Sequence, residues 1–98
     1  MYCTDSATGR TKFETAKPAA AAREVVLECF NEQERFRVTM TREESRWTAR
    51  VTLPMGWFFY RFHVDGHPEW DRDVGRMNAI DGGRYSLAVI NRRQLARS

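Results

Sequence analysis

The chain predicts an all-β fold, an antiparallel β-sandwich. Two observations point there: about six or seven short apolar-alternating runs, and turn residues between them at hairpin spacing. Ninety-eight residues make one domain with one two-layer core. The apolar share of 42% and the twelve aromatic residues argue for a folded chain.

Residues Met1 to Gly9 carry little pattern and are expected to be a mobile tail. Arg10 to Thr15 reads as a short strand anchored by Phe13. Ala16 to Arg23, with Pro18 and its alanines, reads as a connecting loop. In Glu24 to Phe30, Val25, Leu27 and Cys29 alternate with Val26, Glu28 and Phe30, so this is a strand. Asn31 to Arg35 is polar and reads as a turn. Phe36 to Thr41 alternates again, with Phe36, Val38 and Met40 on one face. A turn at Glu43 to Ser45 leads to Arg46 to Leu53, which sets Trp47, Ala49, Val51 and Leu53 against Arg46, Thr48, Arg50 and Thr52. Pro54-Met55-Gly56 is expected to close a hairpin with the strand that follows.

That next strand, within Trp57 to Asp71 (WFFYRFHVDGHPEWD), is the most informative. Phe58, Tyr60, Phe62 and Val64 form an apolar row suited to a core. Trp57, Phe59, Arg61 and His63 form the opposite row, too polar for a core yet bearing two large rings. Asp65-Gly66 supplies turn chemistry, and Trp70 follows. Asp71 to Gly83 is irregular, and Arg84 to Ile90 is the last strand. Residues 91–98 are a basic C-terminal tail with Arg92, Arg93 and Arg97.

The net charge of +3 owes much to that tail, so neither nucleic acid nor a membrane is expected as a partner. Two cysteines, Cys3 and Cys29, make no disulfide framework. Without an apolar leader segment the expected location is the cytoplasm. His63, Asp65, His67, Glu69, Asp71 and Asp73 are ligand-type residues, but no metal motif orders them and the acids serve more simply as turn formers. No cofactor is expected. No nucleophile elbow, phosphate-binding glycine loop or Cys/His pair is present, so the chain is not expected to be an enzyme.

Aromatic rings beside a cationic fork suit a sugar, whose C–H faces stack on Trp while its hydroxyls accept hydrogen bonds. Trp57, Arg61 and Trp70 fit that description. The same residues could instead cover the sandwich edges, with Arg61 lying across an aromatic.

The run Met40 to Gly66 (MTREESRWTARVTLPMGWFFYRFHVDG) resembles the glycogen-binding domain of the AMP-activated protein kinase β subunit. It is also similar to the early-set N-terminal domains of isoamylases and glycogen-branching enzymes. The shared arrangement is M-T-R, an aromatic, L-P-x-G and Y-[KR]-F-x-V-D-G. Thr11 to Asn31 and the closing GGRYSLAVI follow the family order, so the likeness spans residues 10–90. It implies an immunoglobulin-like early-set sandwich that binds α-1,4-linked glucan, such as glycogen or a maltooligosaccharide, without cleaving it. By position, Arg61 stands at the sugar-contacting cation and Trp70 at the stacking Trp. The family's first stacking Trp is replaced by Glu32-Gln33, the glycine-containing turn before Phe-Asn by Glu28-Cys29, and the Asn of the last strand by Tyr85. Tyr85, or the outward pair Trp57 and Phe59, is the expected substitute wall. The alternative is a protein–protein interaction domain that keeps the fold without sugar binding.

Overall fold

A computed structural model describes residues 1–5, 7–15, 22–44, 46–71, 74, 77–78 and 83–90. The expected loop at 16–21, Asp73 and the tail at 91–98 lie outside the described residues. Strands are β1 (Tyr2–Thr4), β2 (Arg10–Thr15), β3 (Val25–Phe30), β4 (Arg35–Thr39) and β5 (Thr41–Glu43). They continue as β6 (Arg46–Thr52), β7 (Gly56–Val64), β8 (His67–Glu69), β9 (Met77–Asn78) and β10 (Arg84–Ile90). One sheet runs β1-β2-β6-β5 and the other β4-β3-β7-β10-β9, with β8 also paired to β7. All pairs are antiparallel, and the sheets pack as a sandwich.

The alternation read from sequence becomes the core. Phe58, Tyr60 and Phe62 of β7 are buried, together with Val25, Leu27 and Cys29 of β3. From the facing sheet come Phe13, Trp47 and Ala49. Phe13 and Tyr60 meet edge to face across the layers, ring centroids 4.9 Å apart. Each such side chain, fully buried, contributes about 1.5–3 kcal/mol by leaving water. Burial also pushes the Cys29 thiol up to about 12, helped by the charge of Glu34, so Cys29 acts as a small inert hydrophobe.

Three expectations are corrected. Residues 2–4 are not a loose tail but an edge strand on β2, in register Tyr2↔Phe13. Tyr2 packs against Phe13 and Tyr60, and its hydroxyl oxygen accepts the Val89 N–H of the other sheet at 3.0 Å. Pro54-Met55-Gly56 does not close a hairpin, because β6 pairs with β2 and β5 while β7 pairs with β3, β10 and β8. The segment is a crossover between layers, helped by a proline that cannot donate to a ladder and by Gly56 at φ +139°. The run Phe36 to Thr41 is likewise split. It breaks at buried Met40, whose N–H bonds the Val25 carbonyl at 2.8 Å, and β4 and β5 go to different sheets.

The Asp65-Gly66 turn is a two-residue hairpin loop with both residues at positive φ, 50° and 87°, joining Val64 to its partner His67. The Asp65 carboxylate accepts the N–H groups of Arg23 and Glu24, both at 2.9 Å, which ties the turn to the entry of β3. The short strand β8 that follows is made by its pairing to β7 rather than by an alternation of its own. It carries the chain back along β7 toward Asp71. Asp71 is buried, accepts the Tyr60 hydroxyl at 2.7 Å and pairs with the Met1 ammonium group.

Candidate functional site: a cation–aromatic face

The outer face of the β4-β3-β7-β10-β9 sheet carries the candidate site. Register sets its rows: Glu28 lies between Arg37 and Arg61, and Phe30 between Arg35 and Phe59. On the far side, Phe59 pairs with Leu87 and Trp57 with Val89.

At one end the face is organised by Glu28, only 2% exposed although it points away from the core. Arg35 Nη1 donates to its Oε2 at 2.6 Å, and Arg61 Nε donates to its Oε1 at 3.0 Å. His63 Nε2 lies 2.7 Å from Oε1. Burial alone would raise the Glu28 carboxyl, but hydrogen bonds and charge from His63 and Arg61 outweigh it and hold the group below its ordinary value. An ionised carboxylate only accepts, so His63 Nε2 carries a proton in this contact.

Each arginine also lies on a ring. The Arg61 guanidinium carbon is 4.3 Å from the Tyr85 centroid, and that of Arg35 is 4.3 Å from the Phe30 centroid. Phe30 meets Tyr85 edge to face at 4.8 Å and Phe59 at 5.5 Å, and Phe59 meets Trp57 at 5.3 Å. The rings form one continuous strip from the arginine end to Trp57. That far end is exposed and apolar: Trp57, Val89 and Met55 are 39%, 44% and 67% accessible. Met55, Trp57, Phe59, Leu87 and Val89 line a shallow groove there.

The structure thus joins Arg61, Phe59 and Trp57 on one surface. Trp70 is partly buried, one residue past the pair Phe62↔Glu69, so its backbone follows β7 toward Arg61. Tyr85 departs from its expected role. It is 2% exposed, beneath Arg61 and against Phe30, so it supports the arginine rather than offering a free wall. Asn31, Glu32 and Gln33 line a small cleft with Met55 and Trp57. Trp57 therefore stands beside Glu32-Gln33.

Sequence reading passed over Glu28, Arg35 and Phe30. The available signal was a lone charged residue inside an apolar strand. Its partners on β4 and β7 were not visible without the register. The ligand-type residues disperse: His63 goes to Glu28, Asp65 caps backbone N–H groups and Asp71 is bonded to Tyr60. Among the described residues no three His, Cys, Asp or Glu side chains form a group able to hold a metal.

No family model matches the chain, and no curated protein matches its sequence. Solved structures do match. A pullulanase from Anoxybacillus sp. LM18-11 superposes with TM-score 0.66 at 23% identity, over 90% of this chain. An apo pullulanase from Paenibacillus barengoltzii gives 0.58 at 17%, over 87% of this chain. Type I pullulanase from Bacillus subtilis str. 168, complexed with maltose, gives 0.59 at 16% over 96%. The chain spans 13% to 14% of the length of those enzymes. It is an antiparallel β-sandwich similar to one part of pullulanases, and at these identities the likeness speaks for the fold.

Proposed function

We propose that this chain is a non-catalytic module that binds α-1,4-linked glucan on the outer face of the β4-β3-β7-β10-β9 sheet. The carrying observation is the Arg61 guanidinium, fixed between Glu28 and the Tyr85 ring at the head of a strip that ends in exposed Trp57. A guanidinium held in this way donates to sugar hydroxyls without losing further side-chain freedom. Trp57 and Trp70 supply rings for the apolar sugar faces. The fold likeness supports the reading, because pullulanases with this fold have been solved with maltotriose and maltotetraose.

The face is flat, so each contact buries little area and a single site binds weakly; repeated glucan chains compensate by avidity. Native affinity electrophoresis in gels holding glycogen, amylopectin or dextran tests this. The α-1,4 glucans should retard the protein and dextran should not. Trp57→Ala and Trp70→Ala should each weaken retardation about tenfold, the worth of one ring contact of about 1.4 kcal/mol. Absence of retardation in every gel, with the protein folded, rules the reading out.

The exposed apolar end formed by Met55, Trp57 and Val89 favours a second reading, a protein-binding face. Light scattering separates the two: a stable dimer dissociated by Trp57→Ala supports it, and a monomer that binds glucan excludes it.

A further inference from the structure

Among the described residues, the guanidinium groups of Arg35, Arg37 and Arg61 lie on the strands that flank the buried Glu28 carboxylate. Arg35 and Arg61 take different oxygens of Glu28. Arg37 is the β4 partner of Glu28 and makes no ion pair with a described residue. Glu32 and Glu34 on the adjoining hairpin are exposed, and no ion pair links them to these arginines among the described residues. Among the described residues, then, one buried carboxylate is the ion-pair partner of two of these guanidinium groups and the strand neighbour of the third.

A neutral sugar does not require a cluster of guanidinium groups. We propose that the arginine end receives an anionic substituent carried by the glucan, a phosphate monoester on a glucosyl hydroxyl, so that the module prefers phosphorylated α-glucan. The inference rests on the glucan reading above. Its warrant is the clustering of three guanidinium groups around one buried carboxylate, two of them preorganised by it. Arg61 engages Glu28 through Nε, leaving its two terminal nitrogens uncommitted to that carboxylate. Arg35 engages through Nη1, leaving Nε and Nη2. Both planes rest on rings. Planar guanidinium edges of this kind suit phosphate oxygens, and a phosphate monoester brings roughly 1.5–2 negative charges at neutral pH. The aromatic strip would then lie under the uncharged sugars on either side.

The test compares phosphate-bearing amylopectin with the same polymer after enzymatic dephosphorylation, by affinity electrophoresis of the whole chain. At low salt the phosphorylated polymer should bind about tenfold more tightly, a gap that closes at about 0.3 M salt as exposed charges are screened. Arg37→Gln should narrow that gap while leaving retardation by the dephosphorylated polymer unchanged. Equal binding of the two polymers at low salt overturns the phosphate inference and leaves the glucan reading standing. Binding of neither overturns both. Thermal melts in inorganic phosphate against chloride at equal ionic strength separate a free anion from a glucan-borne one. If phosphate alone raises Tm while dephosphorylation leaves retardation unchanged, the arginines serve a free anion and the proposal fails.

Discussion

Glu28 governs the face at the scale of a single residue. Its carboxyl is buried on the solvent side of the sheet because Arg35, Arg61 and His63 lie over it. Removing the charge frees both arginines from their shared anchor. Glu28→Gln keeps the size and should cost about 1–3 kcal/mol near neutral pH, as for a charged hydrogen bond lost from a buried site. The folded carboxyl lies below its ordinary value of 4.5, so its contribution is fully present above that value and fades as pH falls through the lower folded one. Denaturant melts should therefore show wild type and Glu28→Gln converging as the pH is lowered from 4.5 through the depressed folded value. A gap of constant size from neutral to acid pH would show that the loss is one of packing, not charge. In the sequence this position is the polar member of an alternating strand. Its importance comes from residues 7 and 33 positions away, and only pairing reveals them.

At the scale of elements, the β7–β8 hairpin shows what local chemistry specifies. Asp-Gly after an alternating run predicts a turn with both residues at positive φ, and 50° and 87° are found. The two rows of β7 were equally legible, because a strand's faces follow from a period of two. Less legible were the short strands β1 and β8, whose pairing depends on partners rather than on their own pattern. Tyr85 shows the same gap at the site. Tyr85 lies on the outer face with Arg61, and its burial comes from Arg61 above and Phe30 beside it. The turn itself can be tested. Nothing lies within 4 Å of a Cβ built on Gly66, so alanine there meets no clash and pays only for its backbone angle. Gly66→Ala should destabilise by about 1–2 kcal/mol and Gly66→Asn by less, since Asn tolerates the left-handed region. Equal melting of Gly66→Ala and wild type would mean the turn relaxes without cost.

Over the whole molecule, the chain passes repeatedly between two layers. After the β3–β4 hairpin it crosses at Met40, forms the β5–β6 hairpin, and crosses again at Pro54-Met55. These crossings were hidden in the sequence, where each looks like an uninterrupted strand or an ordinary hairpin. They leave neither sheet able to bury its apolar rows alone, so the two should unfold as one unit. Phe13 is the clearest probe. It is fully buried on β2, packs against Tyr2 within its own sheet, and meets Tyr60 of the other. Phe13→Ala removes that bridge and leaves a cavity, at a cost of about 3–5 kcal/mol. For a domain of this size each kcal/mol lowers Tm by roughly 4–8 °C, so the variant should melt well below wild type. Backbone circular dichroism reports both sheets, while tryptophan fluorescence samples Trp47 on one layer and Trp57 on the other. The two signals should follow a single transition in wild type and in the variant. If the fluorescence and dichroism midpoints separate in Phe13→Ala, the layers hold together less than their shared core implies, and each sheet unfolds on its own.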